Sequence, residues 1–314
     1  MSFSALKGDP WIAVGHEIAR HRVTSTLTRP QIISRRHHPA IKRIRSLQTR
    51  AAREQTGTFF IDGMRFVAHA LKHRVPLETL MVAPEVLTHP FAQKLARRLQ
   101  RTGTPSLLVT PDVYYSLSQA EEPQGIGAVV RQRWEPLYRI DPSEGLCWVV
   151  VEAVQTPGNL GTIIRTCDAV GAGGVILLSR ETDPYHPGAV RATMGSLFSQ
   201  RFVRATLSEL IAWKQRHRCM LVGTSPSAPV DYHTAQYRPP LLLFMGGERG
   251  GLSRDHQALC DVMVKIPMVG GCDSLNLAIA AGVMLYEVFN QRRAGCPEAP
   301  VLAPAPPAAP GARR

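Results

Sequence analysis

IPMVGGCDSLNLAIAAG, running from Ile266 to Gly282, reads as the end of a strand, a glycine turn and the start of a helix. The apolar run closes at Ile266, Gly270 and Gly271 permit a tight turn, and Leu275, Ala278, Ile279 and Gly282 then recur at helical spacing. That helix is expected to continue from about Ser274 to Arg292, with Leu285 and Phe289 on the same face. Ser274 is its expected N-cap. Asn276 beside it has no comparable explanation in helix propensity.

Two other glycine-bearing segments stand in the same relation to an apolar run. MGGERGGLS, Met245 to Ser253, follows a run from Leu241 to Met245 and carries one carboxylate, Glu248, inside its loop. TPGNLGTIIRT, Thr156 to Thr166, follows Cys147 to Val151, a β-branched and apolar run of the kind buried on both faces of a parallel sheet. Asn159 sits near the entrance of a helix with Leu160, Ile163, Ile164 and Cys167 on one face, and Arg165 lies more than a turn further along. Taken alone, Asn159 reads equally well as an N-cap and Arg165 as a surface charge. In an open α/β sheet, ligands bind beyond the carboxyl ends of the strands. The three segments are therefore placed to line one pocket.

Outward from these segments, residues 146–293 form one α/β unit. It adds strands at Val175–Leu178, Met220–Gly223 and about Val262–Ile266, a helix around Ala189–Phe198, and a helix opened by Thr206 and Glu209 as a capping box. Residues 132–145, with Pro136, Pro142 and mixed charge, read as a linker. Residues 57–131 form a smaller α/β unit with strands at Thr58–Ile61, Thr79–Val82, Leu107–Val109 and Ile126–Val130. Its helices place Met64, Val67, Ala68 and Leu71, then Phe91, Ala92, Leu95 and Leu99, on their inner faces. An extension over 1–30 has little periodicity. A basic segment over 31–56 holds a short amphipathic helix marked by Ile41, Ile44 and Leu47, and a Pro- and Ala-rich tail over 294–314 is expected to be disordered.

Charge points to a partner. The chain carries 37 Lys and Arg against 24 Asp and Glu, a net charge of +13. Such a balance favours a polyanion, because each neutralised phosphate releases condensed counterions. Arg20, Arg22, Arg29, Arg35, Arg36, Lys42, Arg43, Arg45, Arg50 and Arg53 follow one another with no acid between them. Arg35, Arg36, Lys42, Arg43, Arg45 and, in the next unit, Arg65 are the candidate nucleic-acid-binding residues. The six cysteines contain no C-x-x-C pair, which disfavours zinc and disulfide roles. His37 and His38 are adjacent and cannot form a helical metal pair, so no metal is expected. Neither a membrane-length apolar run nor a secretory signal is visible, and the expected location is the cytoplasm. A Rossmann-type oxidoreductase is disfavoured, since Gly171, Gly173 and Gly174 precede a strand instead of opening a helix.

The order and spacing of the three segments resemble the SpoU/TrmH-type RNA ribose methyltransferases of the SPOUT class, over about Thr58 to Arg292. The first motif of that family is matched by Asn159, Gly161 and Arg165. The second is matched by Gly246, Glu248, Gly251 and Leu252, and the third by Ile266, Pro267, Met268, Gly270, Ser274, Leu275 and Asn276. Thr156 departs from the pattern, since many relatives carry an acid before the Pro of the first motif. QGIGAVV, Gln124 to Val130, is similar to the end of the family's small substrate-binding domain.

The resemblance implies an N-terminal α/β RNA-binding domain of ribosomal-protein type, and a C-terminal α/β SPOUT domain with a parallel sheet and a trefoil knot, assembled as a homodimer. It implies S-adenosyl-L-methionine as cofactor, held by Gly246, Gly247, Ile266, Met268, Ser274 and Leu275. Asn159, Arg165, Glu248, Ser274 and Asn276 are the implied catalytic set. The implied reaction is methyl transfer to a ribose 2′-hydroxyl of a structured RNA, with 23S ribosomal RNA favoured. Transfer RNA as the substrate, base methylation, and a non-catalytic RNA-binding protein of the same fold are the alternatives.

Overall fold

The structure is a computed structural model, and it describes residues 32–295. The extension over 1–30 with Arg20, Arg22 and Arg29, and the tail beyond residue 295 with Cys296, lie outside the described residues.

The first half runs β1 (Ile32–Ile33), α1 (Pro39–Ser46), α2 (Arg50–Thr56), β2 (Thr58–Asp62), α3 (Met64–Lys72), β3 (Leu77–Val82), α4 (Pro90–Arg101), β4 (Ser106–Val109), α5 (Pro111–Tyr115) and β5 (Ile126–Arg131). Its five strands lie in the order β1-β4-β3-β5-β2, parallel from β1 to β3 and antiparallel beyond. One face of this sheet packs Met81, Val109 and Val129 against Ile41, Ile44 and Leu47 of the first helix and Val113 and Tyr114 of α5. The other face packs Leu80, Val82, Ala128 and Val130 against Val67 and Ala70 of α3 and Ala92, Ala96 and Leu99 of α4. The basic helix expected within 31–56 is thus part of this sheet's packing. Phe91, expected on the inner face of α4, points outward and is 49% exposed. It lies about 100° from Ala92 around the helix, at the margin of the buried arc.

The second half runs β6 (Trp148–Val151), α6 (Pro157–Val170), β7 (Gly174–Leu177), α7 (Pro187–Ala192), β8 (Phe202–Arg204), α8 (Leu207–His217), β9 (Met220–Thr224), β10 (Val230–Asp231), β11 (Leu241–Met245), α9 (Arg254–Ala258), β12 (Val262–Lys265) and α10 (Leu277–Ala294). All seven strands are parallel, in the order β10-β12-β9-β11-β6-β7-β8. Every residue of β6 and β11 is buried. Alternate side chains serve two cores, Val149, Val151, Leu243 and Met245 on the side of α6 and α10, and Trp148, Val150, Leu242 and Phe244 on the side of α8. Five of the helices open on proline, at Pro39, Pro90, Pro111, Pro157 and Pro187, where the absent N–H leaves nothing unsatisfied. The capping box of Thr206 and Glu209 forms as expected.

Two local expectations are corrected. The helix expected around Ala189–Phe198 stops at Ala192, because Met194 (φ 53°) and Gly195 (φ 103°) are left-handed. A Cβ on Gly195 would lie 2.8 Å from the His69 ring, so the chain turns there beneath α3. The last helix is capped by Asn276, whose Oδ1 accepts from the backbone N–H of Ala278 (2.9 Å) and Ile279 (3.3 Å), and not by Ser274.

The halves are tied by a buried ion pair. Arg53 is 1% exposed; its guanidinium donates to Asp183 at 2.6 Å and to the carbonyls of Leu47 and Gln48. A buried charge persists only when paired and hydrogen-bonded, so this member of the basic run serves packing. Within the segment read as a linker, Tyr185 Oη exchanges hydrogen bonds with the backbone of Arg133, and the Trp134 ring meets Tyr185 and Phe202. Cys147, Cys167 and Cys219 are buried, Cys260 is half-buried and Cys272 is exposed. No helix among the described residues is long and apolar enough to cross a membrane.

Candidate active site

Four loops leave the carboxyl ends of β6, β9, β11 and β12 on one side of the second sheet. A pocket of about 320 Å³ opens between three of them, those after β9, β11 and β12. Gly246, Gly247, Ile266, Met268, Ser274 and Leu275 all line it. Glu248 and Asp273 add carboxylates at the same wall. The volume is that of a small-molecule site.

Gly246, Gly247, Gly250 and Gly251 all line the pocket, and at Gly246 glycine is required for a steric reason. A Cβ on Gly246 would lie 2.3 Å from the carbonyl carbon of Gly251 and 2.5 Å from the nitrogen of Leu252. No side chain fits there. The returning loop is closed by paired hydrogen bonds between Gly247 and Gly251 at 3.0 and 3.1 Å.

The β6 loop joins through Glu248. Its Oε1 accepts from the backbone N–H of Thr156 and from Asn159 Nδ2, both at 3.0 Å, and its Oε2 accepts from the Thr156 hydroxyl at 2.8 Å. Asn159 Oδ1 in turn accepts from Asn276 Nδ2 at 3.2 Å. One chain of hydrogen bonds therefore runs from the β11 loop through the start of α6 to the start of α10. Desolvation pushes the Glu248 carboxyl up, but the bonds from Asn159 and Thr156 and the charge of Arg249 outweigh it, and its pKa lies below the ordinary carboxylate value. Glu248 is therefore an ionised acceptor near neutral pH, suited to holding loops in place. Thr156, the departure from the family pattern, is one of its partners.

Arg165 stands apart. It is exposed on α6, does not line the pocket of its own chain, and takes part in no ion pair among the described residues. α10 packs beside α6 and leaves Ile279 (56%) and Tyr286 (48%) exposed, with Leu275 at its mouth (38%). Residues that line the pocket but were not singled out in the sequence include Thr224 at the end of β9 and Ser225 and Pro226 after it. Their signal was their place after an apolar strand, without the glycines that mark the other loops.

The candidate RNA-binding residues fare unequally. Arg36 is paired with Asp112, Arg43 approaches Glu78 at 3.8 Å, and Arg45 donates to Ser116 Oγ and to the Arg36 carbonyl. Arg35, Lys42 and Arg65 are exposed and form no ion pair among the described residues.

Comparison with known proteins gives consistent relatives. The SpoU rRNA Methylase family matches residues 147–286, and the MRM3-like substrate binding domain matches residues 38–128. A 23S rRNA (uridine(2479)-2′-O)-methyltransferase of Streptomyces viridochromogenes is 35% identical over 256 residues, which are 79% of this chain and 88% of that protein. The 23S rRNA (guanosine(2553)-2′-O)-methyltransferase RlmP of Bacillus subtilis is 28% identical over 79% of this chain and 95% of its own. Among solved structures, an AdoMet-bound rRNA methyltransferase from Sinorhizobium meliloti superposes with a TM-score of 0.76 at 35% identity, covering 85% of this chain and 99% of that one. The SpoU methyltransferase AviRb of Streptomyces viridochromogenes, in complex with AdoMet, gives a TM-score of 0.75 at 34% identity over 83% and 100% of the two chains.

Proposed function

Because the chain belongs to the SpoU rRNA methylase family, we propose that it transfers the methyl group of S-adenosylmethionine to a ribose 2′-hydroxyl of 23S ribosomal RNA. The observation that carries this reading at the level of residues is the Glu248 clasp, which ties Thr156, Asn159 and, through Asn159, Asn276 to the wall of one pocket. The pocket fits the cofactor on its own terms. Gly246 lets the loop after β11 fold back tightly along its wall, and the carboxylates of Glu248 and Asp273 suit a cationic sulfonium. When bound, the cofactor supplies an electrophilic methyl group.

The residues of the chain then orient and stabilise. Gly246, Gly247, Ile266, Met268, Ser274 and Leu275 hold the adenosine part. Glu248 fixes Asn159, and Asn276 fixes both Asn159 and the N-terminus of α10, so that the ribose meets a preset wall. The part of the chain is to hold the ribose oxygen facing the methyl group that the bound cofactor would supply, with the hydroxyl proton free to pass to water. A guanidinium stays protonated near neutral pH. Arg165 therefore acts as a cation beside the developing alkoxide or the adjoining phosphate. The chemistry requires no metal.

Arg165 reaches this position from a second copy of the chain. The exposed Leu275, Ile279 and Tyr286 beside α6 support a homodimer across that face, which would bring one protomer's Arg165 to its partner's pocket. The same reading includes the family's trefoil knot, supported by the return of the chain from β12, beyond β9, to pack α10 on α6. It also includes division into a substrate-binding unit over 57–131 and a methyltransferase unit over 146–293, and action in the cytoplasm, where ribosomal RNA is met.

The test is incubation with methyl-labelled cofactor and two transcripts, 23S ribosomal RNA and a transfer RNA pool. Label on the ribosomal transcript supports the reading. Label on transfer RNA alone reassigns the substrate, and label on neither rejects an enzymatic role.

A further inference from the structure

We propose that the outer face of α4 is a docking surface for RNA, with the phosphate backbone on Lys94, Arg97, Arg98 and Arg101 and an unpaired base stacked on Phe91. The proposal rests on the reading above that RNA is the substrate, and it names a surface on the first unit, apart from the catalytic pocket of the second.

The helix has two faces of different character. Ala92, Ala96 and Leu99 are buried against the first sheet. Phe91, Lys94, Arg97, Arg98 and Arg101 are all exposed, and at 100° per residue they fall within an arc of about 120° centred opposite the buried face, with Phe91 at its edge. The basic members recur at i, i+3, i+4 and i+7, a stripe about 10 Å long. Pro90, Gln93 and Gln100 complete a shallow groove beside them.

This charge is not compensated within the described residues. Between Glu85 and Asp112 the chain carries these four Lys and Arg and no acid. None of the four appears in an ion pair among the described residues. The basic residues on and around α1 and α2 behave differently: Arg36 faces Asp112, Arg43 faces Glu78, Arg50 faces Glu54 and Arg53 faces Asp183. Like charges at i, i+3 and i+4 destabilise an isolated helix, and a polyanion relieves that repulsion. α1 and α4 pack on opposite faces of the first sheet, so the two surfaces are separable by experiment.

Phe91 narrows the kind of partner. A large apolar ring 49% exposed within a basic stripe is the combination that binds single-stranded nucleic acid, cations along the backbone and a ring under a base. The nearby His89 caps the helix through Nδ1 to the Phe91 N–H, and its ring lies 6.5 Å from that of Phe91. Position 91 is therefore held at a fixed point of the surface.

The experiment uses the full chain and the 23S transcript, with affinity measured across a salt series. Neutralising the stripe (Lys94→Gln, Arg97→Gln, Arg98→Gln and Arg101→Gln together) should make the slope of log K against log salt shallower by about 3. Phe91→Ala should weaken binding by about 5-fold or more with the slope unchanged. A control with Arg36, Arg43 and Arg45 changed to Gln should alter the slope by less than about 1. All substituted positions on α4 are exposed, and an unchanged melting temperature together with unchanged cofactor affinity shows that the fold is intact.

An unaltered slope in the quadruple variant overturns the proposal. Preferential loss of binding to phosphatidylglycerol vesicles, with RNA binding retained, overturns it in favour of a membrane surface. Failure of the underlying reading looks different: the unaltered chain would then transfer no label to RNA, whatever the stripe does.

Discussion

Removing the Glu248 carboxylate should uncouple the loops that build the pocket. Glu248→Ala deletes the acceptor for Thr156 N–H, Thr156 Oγ1 and Asn159 Nδ2. A hydrogen bond to a charged group contributes about 1.5–3 kcal/mol. Because the site is partly solvated, the low end applies, and two N–H bonds give about 3 kcal/mol, or a loss of about 100-fold in kcat/KM. Glu248→Gln keeps an oxygen facing the same two N–H groups and loses only the charge. Neutral bonds are about half as strong, so the expected loss is about 1.5 kcal/mol, near 10-fold. The assay is methyl transfer to the 23S transcript at varied RNA, beside cofactor affinity by calorimetry and a thermal melt. The order unaltered, Gln, Ala should hold in kcat/KM. If Ala and Gln both stay within about 3-fold of the unaltered protein, the clasp does not organise the site.

Arg165→Ala should lower turnover by about 100-fold or more while leaving cofactor affinity nearly unchanged, because the side chain lies outside the pocket of its own chain; equal losses in both would place it in the cofactor site. Mixing Arg165→Ala and Asn276→Ala protomers should restore about a quarter of the activity if subunits exchange at random, since half the dimers then hold one intact site; no recovery would argue against a shared site. The depressed Glu248 pKa fixes the sign of its pH effect. The clasp is present above the ordinary carboxylate value and is lost as pH falls through the lower folded value, so cofactor affinity should be flat through neutrality and weaken only below the ordinary carboxylate range; an inflection near neutrality would contradict this. Arg53→Ala leaves Asp183 buried without its partner and should cost about 3–5 kcal/mol, read as a drop in melting temperature of several degrees.

The fold was legible where burial was complete. Cys147–Val151 and Leu241–Met245 announced strands because both their faces are covered, leaving apolar runs with no alternation. Short edge strands were not legible: β8 and β10, of three and two residues, carry no period to detect. The break after Ala192 depends on His69, which approaches from a segment more than a hundred residues earlier in the chain. The shift of the last cap from Ser274 to Asn276 has a local cause, since the loop after the glycine turn runs two residues further than expected and the Asn276 side chain takes the first free N–H groups of the helix.

In the site, three of the four loops were visible because glycine marks a close approach of backbone. The β9 loop was missed because Thr224, Ser225 and Pro226 present no such mark. The joint role of Thr156, Asn159 and Glu248 could not be read from spacing, since 89 residues separate Asn159 from Glu248 and only the parallel pairing of β6 with β11 brings them together. Charge alone did not show which cations are paired. The longest acid-free run drew attention to α1 and α2, but several of its members have carboxylate partners supplied by other segments.

Alkaline hydrolysis of the labelled RNA tests the central claim most directly, because strand cleavage by base needs an unmodified 2′-hydroxyl as nucleophile. Methylation of ribose should leave the label in an alkali-stable dinucleotide. Label released in mononucleotides would place the methyl group on a base and contradict the account.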